Sequence, residues 1–210
     1  MAPQGEPGRL SMRVLVLYCH PLGNSFNAAL HRAALQALTD AGHEVDDCDL
    51  YAEDFDPVLS PQERSDYHDL ALNRRSVEPH VQRLLQAQAL VLIFPVWSFG
   101  LPAMLKGYID RVFVPGVSFH LVEGGPSRPG LTHLRHIVGV ATYGSPRWKT
   151  WLMADPPRAM VSRFLKRLTG SRARVDYLAC YDMNINSQRE RESFLERVSR
   201  QLQGLGRGGH

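Results

Sequence analysis

The stretch 94–110, FPVWSFGLPAMLKGYID, decides the fold. Six apolar residues, ALVLIF at 89–94, lead into it, and so short a run bounded by turn signals predicts a strand covered on both faces rather than a half-exposed antiparallel one. Beyond the corner at 95–100, Leu101, Met104, Leu105, Tyr108, Ile109 and Val112 recur at helical spacing, with Pro102 in the first turn, where proline is tolerated. A buried parallel strand that passes at once into a helix delivers the intervening loop to the carboxyl edge of the sheet, where open α/β folds bind ligands. Pro95, Val96, Trp97, Ser98 and Phe99 are therefore candidate site residues.

Upstream, the apolar run 14–18, VLVLY, leads through CHPLGNSFN at 19–27 into a helix carrying Phe26, Leu30, Ala33, Ala34, Ala37 and Leu38 on one face. Ser25 is placed to cap that helix, and Asn24, Asn27 and the first free backbone N–H groups can converge with it on an anion. No Asp or Glu occurs between Pro7 and Thr39, although the positive end of a helix dipole usually attracts one. A bound phosphate would supply the missing charge; an ordinary capped helix that lacks acids accounts for the same pattern.

Along the chain, the patterns predict strands over 13–19, 43–49, 89–95, 136–142 and 173–181. Helices are predicted over 25–40, 78–88, 101–112, near 156–168 and over 187–203. A polar connection runs through about 76, and a loop fills 114–130. Strict alternation of strand and helix implies right-handed crossovers and a parallel sheet with helices on both faces. Five strands suit the doubly wound order 2-1-3-4-5, in which the loops after the first and third strands meet at the switch point.

The 210 residues, 44% hydrophobic and 21% charged, fit one domain over 12–203, with Pro/Gly-rich ends at 1–11 and 204–210 expected to be flexible and to have nothing to pack. The net charge of +3 is scattered and implies no nucleic-acid partner. A local excess of Arg and Lys between 128 and 174 fits a solvated helix face or attraction of an anionic substrate. Three cysteines, at 19, 48 and 180 and without a Cys-x-x-Cys pair, suit a reducing cytoplasm. No hydrophobic signal region opens the sequence and no run reaches the roughly 18 apolar residues of a membrane span, so a soluble cytoplasmic protein without stable membrane insertion is expected.

The sequence excludes several chemistries. It has no Gly-x-Ser-x-Gly, and the residue six places after Cys19 is Ser25 rather than the Arg of a Cys-based phosphatase. There is no P-loop and no Gly-x-Gly-x-x-Gly after the first strand, and nine histidines form no His-Glu-x-x-His, so no metal is expected. What remains is a phosphate-binding helix terminus facing an aromatic loop, with no obvious nucleophile. Such a crevice suits a cofactor that carries its own chemistry, and a flavin fits. Trp97 and Phe99 could flank its ring, or pack as core aromatics beneath a loop. The small residues of 142–146, TYGSP, would let backbone N–H groups approach that ring where negative charge develops on reduction.

Three linked motifs resemble the NAD(P)H:quinone oxidoreductase family of flavodoxin-like proteins. They are His20-x-x-x-x-Ser25-Phe26-Asn27, the segment DLY at 49–51 with FDPVLS at 55–60, and PVWSFGLPAMLKG at 95–107 with RVF at 111–113. The resemblance covers about residues 12–145. It implies that His20, Ser25, Phe26 and Asn27 hold flavin phosphate and ribityl groups, that Pro95, Val96, Trp97, Ser98 and Phe99 border the isoalloxazine, and that Thr142, Tyr143, Gly144 and Ser145 cover its pyrimidine edge. Tyr143 and Gly144 would act at the reacting centre, although no His follows Tyr143 in the 143–151 segment as it does in one branch of the family. Phe119 and Leu121 fall at substrate-lining positions. The family implies FAD, with FMN in compact relatives, NAD(P)H as co-substrate, a quinone-like acceptor and a homodimer with its substrate site at the interface. Some relatives serve instead as flavin-bearing ancillary subunits that regulate a transporter. A one-electron carrier would be strongly acidic, and this chain is not. Trp148 and Trp151 fit an acceptor or dimer surface, or the packing of an ordinary loop.

Overall fold

The computed structural model describes residues 11–206. Its centre is a five-stranded parallel sheet of β1 (Arg13–Tyr18), β2 (Glu44–Asp49), β3 (Ala89–Val96), β6 (His136–Tyr143) and β7 (Arg174–Cys180), ordered β2-β1-β3-β6-β7. Counting only these five strands, the order is the expected 2-1-3-4-5. The three inner strands are buried almost throughout because both faces are covered. On one face α1 (Phe26–Asp40) and α8 (Gln188–Gln203) pack Leu30, Leu38, Val198 and Leu202 against Val14, Val16 and Val91. On the other, α3 (Glu78–Gln86) and α4 (Ala103–Val112) set Val81, Leu84, Leu105 and Tyr108 against Leu15, Leu17, Leu90 and Leu92.

Predicted and observed bounds of the sheet strands and of α1, α3, α4 and α8 agree to within two residues. The differences lie in the connections. The polar stretch before α3 contains α2 (Pro61–Asp66), which has no apolar stripe and is held by a capping box between Ser60 and Glu63. The expected loop 114–130 contains an antiparallel hairpin, β4 (Phe119–Val122) with β5 (Gly125–Pro129), turned at Gly124 with φ +68°. A short helix, α5 (Arg147–Leu152), follows β6. The helix expected near 156–168 is interrupted: α6 (Pro156–Ala159) passes through a π-helical segment, Met160–Leu165, into α7 (Lys166–Leu168). Residues 1–10 and 207–210 lie outside the described residues. Within them, the expectation that the chain from Gly204 has nothing to pack fails, because Leu205 is buried and its carbonyl lies 3.2 Å from Nε2 of His43.

Two contacts hold α4 and hence the loop before it. Gly107 lies against Pro57 so closely that a Cβ there would fall 2.5 Å from the proline Cβ, which accounts for glycine at a helical position. Arg111 donates from Nη2 to Oε1 of Glu63 at 2.6 Å and also donates to the carbonyl of Asp56, tying α4 to α2. Burial alone would raise the Glu63 pKa, but hydrogen bonds from Ser76, Ser60 and Arg111 outweigh it and bring the carboxyl down to about 2.

Overpacking predicts that Gly107→Ala costs about 1–3 kcal/mol, read as a lowered midpoint in urea unfolding; an unchanged midpoint contradicts the contact. Because the folded-state pKa of Glu63 lies below its ordinary value of 4.5, its contribution, up to about 3 kcal/mol, is complete above pH 4.5 and disappears as the pH falls towards 2. Glu63→Gln should therefore flatten the stability–pH curve across that window, and two parallel curves would refute the linkage.

Candidate functional site

The loops that end β1, β3 and β6 come together at the carboxyl edge of the sheet. Cys19 N–H donates to Ile93 O at 3.0 Å, joining the first two, and register pairing sets Pro95 opposite Thr142 and Val96 opposite Tyr143. A side-chain bond completes the junction: Asn27 Nδ2 donates to Thr142 Oγ1 at 2.8 Å, with both residues buried. Asn27 thus holds α1 to β6. Its Oδ1, also buried, has no partner among the described residues.

Ser25 caps α1 as its sequence implies, accepting from Ala28 N–H at 3.1 Å. The first turn of α1 contains no acidic residue, and the N–H groups of Phe26 and Asn27 have no acceptor among the described residues. His20 stands beside this terminus. Leu22 N–H donates to its Nδ1 at 3.0 Å, so the ring proton sits on Nε2, and burial lowers its pKa and keeps the ring neutral near pH 7. Arg32 donates to Gly23 O at 3.1 Å and adds positive charge to the same loop. These groups set backbone donors and positive charge at one helix N-terminus, the arrangement that favours anions. The Phe26 ring itself turns away and packs 6.3 Å from the ring of Phe194 on α8.

After β3 the chain makes a two-residue turn in which Trp97 and Gly100 exchange backbone bonds of 3.3 and 2.8 Å. Its central residues, Ser98 and Phe99, have φ +50° and +57°, the signs required by a type I′ turn and usually supplied by Asn and Gly. Two successive non-glycine residues in this region store strain next to the site. Trp97 is 43% exposed, and its ring lies 5.9 Å from that of His20. Val96, Ser98, Phe99, Tyr143, Gly144 and Ser145 share one cleft of about 190 Å³. The N–H groups of Gly144 and Ser145 have no hydrogen-bond acceptor among the described residues.

Tyr143 differs from the expectation of a side chain acting at the reacting centre. Its hydroxyl donates to Asp155 Oδ1 at 2.7 Å and lies 2.6 Å from Tyr177 Oη, which, with that proton committed, donates to it. Burial above all holds its pKa well above that of a free phenol, so it stays protonated. Arg158 extends the network, bonding Asp155 at 3.0 Å and Tyr181 at 3.1 Å. Asn184, whose Nδ2 donates to Gly144 O at 3.4 Å, braces the loop from outside. None of Asp155, Tyr177, Tyr181 and Asn184 was indicated by sequence, because they come from segments without a motif. Phe119 lies in a different cleft, beside Phe164 and Arg167, and Leu121 is exposed on the β4–β5 hairpin. Neither shares the 95–100 cleft within this chain.

A doubly wound sheet whose edge combines an acid-free helix terminus with an aromatic turn sets both at the switch point, where open α/β folds bind ligands. The chain belongs to the flavodoxin-like fold family, which matches residues 12–201. The uncharacterized NAD(P)H oxidoreductase YcaK of Escherichia coli K12 is 36% identical over 111 residues, covering 52% of this chain and 56% of that protein. The rat NAD(P)H dehydrogenase (quinone) 1 is 35% identical over 152 residues, covering 63% and 54%. This chain thus spans about half the length of the sequence relatives it matches. Among solved structures, the NAD(P)H:quinone oxidoreductase of Methanothermobacter marburgensis superimposes with a TM-score of 0.77 at 26% identity, over 93% of this chain and all of that one. These matches agree with the resemblance read from the three motifs.

If the 97–100 turn is strained as its φ values indicate, Ser98→Gly should stabilise the protein by about 0.5–1 kcal/mol, the relief of a left-handed residue less the entropy of an added glycine. A lowered denaturation midpoint would show that no strain resides there.

Proposed function

We propose that the chain is a flavin-dependent NAD(P)H oxidoreductase that carries out two-electron hydride transfer to a quinone or similar electrophilic acceptor. The observation that carries this reading is the junction at one sheet edge of the acid-free α1 terminus and the Trp97–Phe99 turn. The residues present fit the cofactor: unpaired N–H donors stand where a phosphate would bind, and aromatic and small residues stand where a flat ring would lie. When bound, a flavin supplies the redox chemistry, taking hydride from the nicotinamide and handing it to the acceptor.

The protein's own part is positioning and electrostatics. Phe26 and Asn27 N–H, with His20 Nε2–H, hold the phosphate; Pro95, Val96, Trp97, Ser98 and Phe99 border the ring. The N–H groups of Gly144 and Ser145 stabilise negative charge where it develops, with no solvent reorganisation required. Tyr143, locked by Asp155 and Tyr177, is a positioning residue that fixes the start of this loop.

Through its resemblance to the FAD-using branch of the family, the Ser25-Phe26-Asn27 loop points to FAD over FMN. A cleft of about 310 Å³ lined by Asn186, Phe194, Arg197 and Arg200 supports that choice, since it adjoins Phe26 through Phe194 and offers cations for a second phosphate. Homodimerisation is supported by α5, which leaves Trp151 79% and Leu152 70% exposed just after Ser145. Phe119 and Leu121 would line substrate in that assembly. Among the described residues no helix is long and apolar enough to cross a membrane. The same apolar patch could seat another protein, which is what the reading as an ancillary regulatory subunit requires.

Purified protein should be yellow, release FAD identified by mass, and turn over NAD(P)H with a quinone. Ser25→Asp should weaken flavin retention at least tenfold, because a carboxylate would face the phosphate. Trp151→Glu should convert dimer to monomer in light scattering. Protein that stays colourless when soaked in either flavin nucleotide overturns the reading, whereas retained flavin without turnover favours the ancillary role.

A further inference from the structure

On the outer strand of the sheet, three side chains of different chemistry meet around the end of the edge strand β2. Cys48 Sγ lies 3.7 Å from Glu53 Oε2 and 3.9 Å from His80 Nδ1, and the last two are 4.0 Å apart. The centre of a triangle with those edges is roughly 2.2 Å from each corner, close to the bond lengths zinc makes to thiolate, imidazole and carboxylate. We propose that Cys48, Glu53 and His80 bind a borderline-soft divalent cation of the Zn2+ type, with water as its fourth ligand.

The donor set matches that class, since thiolate with imidazole disfavours Mg2+ and Ca2+. Cys48 is fully buried and forms the floor, while His80 and Glu53 are partly exposed, so the ion enters from solvent between them. Phe55 and Tyr108 flank His80, their rings 5.0 and 5.5 Å from its ring and both edge-on.

The Tyr108 hydroxyl is an independent sign of a ligand. It is fully buried, has no hydrogen-bond partner among the described residues, and lies within the electrostatic reach of Cys48, Glu53, Asp46 and Arg83. A buried hydroxyl without a partner costs about 1–3 kcal/mol, and a cation-bound water would provide one.

Arg83 donates from Nη1 to both Glu53 oxygens at 2.8 Å and from Nε to Asp46 at 2.9 Å, and Arg13 lies 3.6 Å from the other oxygen of Asp46. Binding would release the Cys48 thiol proton to solvent and leave a thiolate whose charge the dication offsets. Glu53 keeps Oε1 for Arg83 and turns Oε2 to the ion. The outcome is a cross-link between β2, its following turn and α3. The ligands follow no spacing motif because they come from three separate elements.

The test is titration of chelator-treated, full-length protein with Co2+, followed by Zn2+. One equivalent of Co2+ should bind with a thiolate-to-cobalt absorption band in the near ultraviolet, which excess Zn2+ abolishes. His80→Ala and Glu53→Gln lie at the solvent side and should fold, as circular dichroism will verify, while weakening binding at least tenfold; Cys48→Ser should remove the band. Absence of the band in the wild type, or full affinity in His80→Ala, overturns the proposal irrespective of whether Cys48→Ser folds.

Discussion

A parallel sheet buried on both faces has no place for polar chemistry except at the ends of its strands, and the rest of this structure follows from that constraint. In β1, β3 and β6 nearly every side chain meets a helix on one face or the other. The groups that can bind a charged or polar ligand are therefore expelled to the carboxyl edge, where three loops must share a small space. The Asn27–Thr142 bond is what fixes that space. It joins the first turn of α1 to the end of β6 beneath the two loops, so the N-terminus of α1 and the backbone donors of Gly144 and Ser145 are set relative to one another by a buried side-chain contact.

What was legible in the sequence was whatever burial writes into it. Continuous apolar runs marked β1, β3 and β6, helical periodicity marked α1, α4 and α8, and together they yielded strand order and switch point. Elements held by local hydrogen bonds were invisible to periodicity. α2 is a polar hexapeptide held by a capping box, and the β4–β5 hairpin reads as a Gly/Pro-rich loop. The site was legible in its backbone and less so in its side chains. Phe26 was read as a cofactor contact, yet its ring packs on α8, and the Tyr143 hydroxyl faces Asp155 and Tyr177. Only three-dimensional placement could show either, since Asp155 and Tyr177 belong to no pattern shared with Tyr143.

Rigidity around the cleft has two sources that oppose each other energetically. The 97–100 turn holds Ser98 and Phe99 in a region that L-residues avoid, while Asp155 itself sits at φ +43° to reach Tyr143. Against these costs stand the charge-assisted bond of Arg158 to Asp155 and the hydrogen-bonded chain through Tyr177. Strain in one loop is thus contained by a network behind its neighbour. A site preorganised in this way needs little rearrangement when a flat ligand arrives.

The placement of the indoles has an optical consequence. Trp148 and Trp151 on α5 are 63% and 79% exposed, and Trp97 is 43% exposed beside the cleft. Where nothing covers α5, the emission of its two indoles should already resemble that of a hydrated indole, and unfolding should change its wavelength little. Intrinsic fluorescence in this molecule is thereby a poor gauge of chain collapse and a direct gauge of what settles on two surfaces, the corner after β3 and the outer side of α5.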